Sequence, residues 1–255
     1  MDIDDRAFEI FMEIHLGLEQ QGPGDDASTV RALEMLPALP EPAHVLDLGC
    51  GPGRQTLCLA QATPASVRFT ALDLFQVFLD QLGTSAREAG LDGRITPQQG
   101  DMSALDLPAA SADLIWSEGA IYLVGFGEGL SAWRPLLTPD GCVVVSEISW
   151  LVDQPPAPIK KYWAKMYPPM STVEENLRLA RDCGYRTLGH FTLPARSWWD
   201  GYYTPLQGRL AAAKERYAGD DEALAVVAEG EREIELFRKY HAAYGYEFYV
   251  LQRRD

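Results

Sequence analysis

Residues 45–56 read Val-Leu-Asp-Leu-Gly-Cys-Gly-Pro-Gly-Arg-Gln-Thr, a short apolar run, three alternate glycines and the opening of a helical stretch that reaches Ala62. A strand, a tight loop and a helix are the natural reading of that text. Alternate glycines permit positive φ and let another group approach the backbone with no Cβ in the way. The helix that follows presents unpaired N–H groups and the positive end of its dipole. The surrounding chain repeats the alternation. Strand-like runs at 67–72, 95–99, 113–116 and 141–146 are interleaved with helical stretches at 75–89 and about 127–137. This predicts a parallel sheet with helices on both faces. The run 141–146 is apolar almost without a break, as suits a strand buried on both sides.

The flanks are read the same way. Residues 4–16 carry Phe8, Ile10, Phe11, Met12 and Ile14 at helical spacing. Gln20-Gln21-Gly22-Pro23-Gly24 breaks that helix, and Asp25, Asp26 or Ser28 can cap a second one running to about Leu36. After Trp150, prolines at 155, 156, 158, 168 and 169 predict an irregular path as far as a helix at 172–183. A strand at 187–193, a charged helical stretch at 204–240 and an aromatic strand at 246–251 close the chain. The expected fold is α/β and Rossmann-like: a seven-stranded, mostly parallel sheet with its last strand antiparallel. Residues 1–40 form a helical lid or cap, 41–203 with 241–255 the core, and 204–240 a helical insertion. That insertion is open to three readings: a cap over the site, a homodimer contact or a plain solvated pair.

Composition narrows the partners. Lys and Arg number 22 against 37 Asp and Glu, a formal charge of −15. Polyanions are bound by electropositive surfaces, so neither nucleic acid nor an anionic membrane is expected. Four scattered cysteines lack zinc spacing, and no metal cluster stands out. The acidic beginning, MDIDDRAFEI, is unlike a signal peptide, and no apolar run approaches the ~18 residues of a membrane span. A cytoplasmic chain with reduced thiols is expected.

Three features sharpen the loop's meaning. Asp73 ends the second strand, where a carboxylate accepts from ribose hydroxyls. Gly100-Asp101-Met102 follows the third, offering a polar group and an apolar wall to a flat base. Asp47, inside the first strand, is costly to bury unless it ties down the loop's N–H groups. Arg54 stands where a dinucleotide loop needs its third glycine or alanine, and the Lys-Ser or Lys-Thr ending of a phosphate loop is missing. The loop therefore favours an adenosine ligand without a pyrophosphate.

VLDLGCGPGRQT (45–56), ALDL (71–74), GDM (100–102), DLIWSEGAIY (113–122) and LLTPDGCVVVSE (136–147) resemble, in order and spacing, the motifs of class I S-adenosylmethionine-dependent methyltransferases. QGPG (21–24), SEGAIY (117–122) and the aromatic last strand resemble bacterial small-molecule methyltransferases with a type 11 or type 25 domain. The resemblance implies S-adenosylmethionine as cofactor and S-adenosylhomocysteine as product. It also implies that Asp47 orders the loop and the methionine ammonium, while Gly49, Gly51 and Gly53 pass beneath the cofactor. Asp73 then holds the ribose diol, Leu74 and Met102 flank the adenine, and Asp101 accepts from its amine. Ser117 and Glu118 fall near the sulfonium and the acceptor.

For catalysis Glu118 is the first candidate, as a base or as the anchor of a cationic amine, with Tyr122 shaping the pocket. Glu147, one strand over, is a second, unless a buried basic group pairs with it. His15 and His190 read as packed or surface histidines. Trp198, Trp199, Tyr202 and Tyr203 either line an acceptor pocket or pack the core. The expected reaction is in-line methyl transfer to a small molecule. An NAD-dependent oxidoreductase and a non-catalytic cofactor sensor are the rivals.

Overall fold

The computed structural model describes residues 6–254. Its strands are β1 (His44–Leu48), β2 (Arg68–Asp73), β3 (Ile95–Gln99), β4 (Ala112–Glu118), β5 (Leu137–Trp150), β6 (Tyr185–Thr192) and β7 (Tyr244–Arg253). They form one seven-stranded sheet in the order β3-β2-β1-β4-β5-β7-β6. The strands from β3 to β5 run parallel, and β7 is slotted antiparallel between β5 and β6. The chain order turns back at β1 and β4, and in open α/β sheets that switch point is where ligands bind.

Alternation explains the two cores. Successive strand residues point to opposite faces, so Val45, Phe69, Leu114, Trp116 and Val144 pack on one side. Leu46, Leu72, Ile115, Val143 and Val145 pack on the other. Helices α3 (Arg54–Ala62) and α4 (Gln76–Glu88) cover the first face, and α5 (Phe126–Trp133) and α7 (Val173–Asp182) cover the second. The long run of β5 is apolar on consecutive residues because both faces are covered.

The N-terminal helices α1 (Arg6–His15) and α2 (Asp26–Glu34) join this layer by different contacts. Of the three predicted caps, Asp25 is used: Oδ1 accepts from the Ser28 N–H at 2.6 Å while Oδ2 accepts from the Ser197 hydroxyl. Helix α2 packs on α3, whereas α1 packs on α9 (Thr204–Arg216) and α10 (Asp221–Tyr240). Glu13 of α1 accepts from the Tyr217 hydroxyl at 2.6 Å and pairs with Arg216.

Two stretches differ from expectation. The proline-rich segment after Trp150 contains a helix, α6 (Ala157–Met166), with Pro156 at its N-cap and Pro158 in its first turn. A proline there loses no hydrogen bond, because first-turn N–H groups have no intrahelical acceptor. The aromatic segment Trp198–Tyr203 is also helical, with α8 (Ala195–Trp198) passing through a π turn into α9. No helix among the described residues is long and apolar enough to cross a membrane.

Candidate active site

The glycine loop is strapped to the end of β2. The Leu72 carbonyl accepts from the N–H groups of Gly49 and Cys50 at 2.9 and 3.0 Å. Asp73 accepts from Gly51 N–H through Oδ2 at 2.8 Å and from Phe75 N–H through Oδ1 at 3.0 Å. Burial pushes the Asp73 carboxyl up and those amide donors oppose the shift. The glycines have φ of 72°, 54° and 88° at 49, 51 and 53. They serve different ends. A Cβ at Gly49 would lie 2.5 Å from the Ala120 Cβ and one at Gly53 2.2 Å from Leu82 Cδ1, so packing forbids both. At Gly51 the nearest atom is Gln21 Cγ at 3.7 Å, ordinary contact, so a Cβ would fit there although the residue is buried.

Asp47 is buried, but side chains of α3 hold it rather than the expected loop N–H groups. It accepts from the Thr56 hydroxyl at 2.5 Å and from Gln55 Nε2 at 3.3 Å, and Gln55 also donates to the Cys50 carbonyl at 3.0 Å. Burial lifts its pKa to about 7 against those two donors. At the adenine side of the predicted site, Leu74 is 44 % exposed while Met102 is buried, its carbonyl accepting from Trp133 Nε1 at 3.1 Å. Asp101 accepts from the Ser103 N–H at 2.8 Å, and bonds to Ser103 hold its carboxyl below the usual range.

Two predicted residues do other work. Ser117 is fully buried and donates to the Leu48 carbonyl at 2.8 Å, joining β4 to β1 rather than facing a ligand. Glu118, expected as a base, has a side chain only 5 % exposed with both oxygens occupied. Oε2 pairs with Arg54 Nη2 at 2.6 Å, and Oε1 accepts from Thr29 at 2.7 Å and Trp116 Nε1 at 2.9 Å. Arg54 in turn reaches Asp26 at 2.7 Å. Both carboxylate oxygens are thus engaged, by an arginine and two further donors. Glu118 instead clamps α2 to the helix behind the glycine loop. Gln21-Gly22-Pro23-Gly24 lies over this clamp: a Cβ at Gly24 would stand 3.0 Å from Arg54 Nη2.

The acceptor side is aromatic and acidic. Tyr122, 39 % exposed, meets Tyr167 edge-on with centroids 5.9 Å apart. Glu147 lies nearby with 2 % exposure and no basic partner among the described residues; its pKa is pushed up to about 8 by burial against a hydrogen bond from Tyr167. Of the late aromatics, Trp198 is core, stacked on Phe237 at 4.2 Å and Tyr246 at 5.1 Å. Tyr203 is buried as well and donates to Glu233 at 2.8 Å. His15 bonds to the Phe11 carbonyl through Nδ1 and to the Tyr202 hydroxyl through Nε2, at 2.8 and 3.0 Å. A carbonyl only accepts, so Nδ1 carries the proton and Nε2 accepts from the tyrosine. His190 bonds to Glu247 at 2.6 Å.

Glu233 was not singled out from the sequence, although a signal exists. Val226, Gly230, Glu233 and Phe237 follow helical spacing, which puts an acid on a stripe of apolar and small residues. Arg54 and Thr29 had no local signal as partners of Glu118.

The buried acids make a pH prediction. Asp47 and Glu147 keep protons in the folded state, with pKa values of about 7 and 8, that the unfolded chain releases near pH 4. Between those limits the native state binds more protons than the unfolded one, so stability falls as pH rises, by at most ~1.4 kcal/mol per unit for each group. Glu147→Gln cannot titrate and is expected to flatten this slope, raising Tm at pH 8 more than at pH 5. Melting curves across that range check it, and an unchanged slope would refute it.

The doubly wound sheet with β7 inserted antiparallel, and an acid ending β2 beside a glycine loop, is a Rossmann-like arrangement. Residues 45–141 match the model of the methyltransferase domain family. Among curated relatives, the dimethylglycine N-methyltransferase of Parasynechococcus marenigrum is 30% identical over 53% of this chain and 50% of its own. The trans-aconitate 2-methyltransferase of Streptomyces avermitilis is 36% identical over 43% of this chain and 40% of its own. The chain thus spans about half, or less, of the length of these relatives. A solved methyltransferase from Geobacter sulfurreducens in complex with S-adenosyl-L-homocysteine superposes with a TM-score of 0.78 at 21% identity, over 98% of each chain.

Proposed function

We propose that the protein transfers a methyl group from S-adenosylmethionine to a small-molecule acceptor, as an enzyme working in the cytoplasm. The supporting observation is the glycine loop at the carboxyl end of β1, gripped at the Gly51 N–H by the Asp73 carboxylate that ends β2. The residues suit a nucleoside sulfonium. Each Asp73 oxygen spends one lone pair on an amide and has another for a ribose hydroxyl. Leu74 and Met102 give a flat base apolar contact, and Asp101 accepts from its amine. Gly49 and Gly53 let the loop pack so tightly that Gly51 can pass beneath the ligand. Asp47, through Thr56 and Gln55, holds the helix whose N-terminus faces it.

When bound, the cofactor supplies an electrophilic methyl carbon on a positive sulfur. The chain's own part is to align an acceptor with that carbon and to keep water out, which can supply much of the rate. The relatives' names include an N-methyltransferase and a 2-methyltransferase, so the acceptor is chosen by residues of this chain. An acidic surface suits a small molecule better than a nucleic acid, whether the chain acts singly or as a homodimer.

S-adenosylhomocysteine at 100 times its Kd is expected to stabilise the protein by ~2.7 kcal/mol, and NAD not at all. Asp73→Ala should weaken S-adenosylhomocysteine binding by about 1.5–3 kcal/mol through loss of charge-assisted bonds. Calorimetric titration of both proteins tests this; unchanged affinity in the variant would remove Asp73 from the cofactor site.

A further inference from the structure

Glu147 presents an unusual buried atom. Its Oε2 meets no hydrogen-bond partner among the described residues, although the residue is 2 % exposed. A buried carboxylate oxygen without a donor is costly and needs an explanation. The residue directly opposite on β7, Glu247, is by contrast satisfied by His190 and Thr192, each at 2.6 Å. The nearby histidine therefore serves Glu247.

A second acid arrives from α10. Glu233 is held by the Tyr203 hydroxyl at 2.8 Å, and burial lifts its pKa. Burial, and then the charges of Glu233 and Glu147, raise the Tyr122 phenol, and burial, Tyr122 and the same two acids raise that of Tyr246. Burial, then Glu233 and Tyr122, likewise raise the Tyr202 phenol, and Tyr167 bridges Tyr122 to Glu147. No arginine or lysine is among the charges acting on Glu147, Glu233, Tyr122 or Tyr202.

This cluster adjoins the glycine loop. A Cβ on Gly49 would touch the Cβ of Ala120, and one on the preceding Gly119 would lie 3.6 Å from the Tyr246 hydroxyl. From the other side, Tyr202 is tied to His15, whose carbonyl accepts from Gln21 at 3.3 Å, and Gln21 overlies Gly51. A group held among the tyrosines is thus next to the loop expected to present the methyl group.

Two acids and tyrosine rings, with no arginine or lysine acting on them, select one chemistry. Ring faces attract alkylammonium groups, and carboxylates compensate their charge. A carboxylate acceptor would be repelled, and a neutral one would leave Oε2 as it is. Resting on the methyl-transfer reading, we propose that the acceptor is a small amine, held as its cation in a box of Tyr122, Tyr167, Tyr202 and Tyr246 closed by Glu147 and Glu233. Glu147, protonated in the free protein, gives up its proton to solvent beside the bound cation, and its Oε2 then takes the ammonium proton. The freed nitrogen lone pair forms the N–C bond while the C–S bond breaks and its electron pair stays on sulfur. Positive charge thereby passes from the sulfonium to the methylated nitrogen, opposite Glu233.

Choline and 3,3-dimethylbutan-1-ol share one shape and differ in the charge at the quaternary centre. Titrated into protein saturated with S-adenosylhomocysteine, choline is expected to bind at least about tenfold more tightly. Glu147→Gln and Glu233→Gln, each made separately, should shrink that preference while leaving S-adenosylhomocysteine affinity unchanged. Equal binding of the two probes, binding of neither, or a preference that survives in both variants overturns the amine assignment. Failure of the wild-type protein to bind S-adenosylhomocysteine is a distinct result, which overturns the methyl-transfer reading beneath it.

Discussion

Glu118→Ala is expected to lower the unfolding free energy by about 3–5 kcal/mol, the cost of breaking a buried ion pair from one side. Arg54 is only 15 % exposed and would keep only Asp26, itself 67 % exposed, as a charged partner. Trp116 Nε1 would lose its acceptor, and Thr29 would lose the bond that holds α2 to β4. Removing both charges together should cost less. The double variant Glu118→Leu with Arg54→Met is expected to recover a large part of the loss, because neither ion is left stranded. Urea denaturation of the two single variants and the double variant gives the coupling. A general base would behave otherwise: Glu118→Ala would then melt as the wild type does and lose only turnover. That result would return Glu118 to the chemistry.

Gly49→Ala should be nearly as damaging, at roughly 2–5 kcal/mol from overpacking and left-handed backbone together. The new Cβ would stand 2.5 Å from the Ala120 Cβ, well inside the ~3.5–4.0 Å at which carbons rest. Both atoms are fixed to backbone, so no rotamer relieves the clash. The loop itself must move, and S-adenosylhomocysteine binding should go with it. Gly51→Ala makes the informative contrast. Its φ of 54° lies in the left-handed region and its nearest neighbour is 3.7 Å away, so the stability cost should be only about 1 kcal/mol. A methyl there still occupies the space reserved for the ligand. The Gly51→Ala variant is therefore expected to melt close to wild type and to bind S-adenosylhomocysteine poorly. Wild-type affinity in that variant would mean that the ligand takes another path.

Much of this molecule was legible before folding was considered. The order of strands and helices from 44 to 150 follows the alternation of apolar runs, and the glycine loop announces its own turn. Asp73 was legible as well, because its place depends on one strand ending beside another. Proline was a misleading signal at 155–158, since the same residue that stops one helix begins the next. The misreading of Glu118 has another origin. Its position at the tip of β4 was correct, but its partner Arg54 lies 64 residues away, and no local pattern marks two such side chains as neighbours.

By itself, the sequence determined whatever rests on adjacent residues: periodicity, caps, breaks, and the glycines that a tight loop requires. Only the tertiary structure decided which acids are spent and which remain free. Glu118 ends β4 and Glu147 lies within neighbouring β5, and the two look alike in the text, yet one is engaged by Arg54 and the other keeps an unpartnered oxygen beside Tyr167. The state of a carboxylate is set by the donors and charges within a few ångströms of it and by the water removed around it. Those neighbours come from distant parts of the chain, and only the packed fold brings them together.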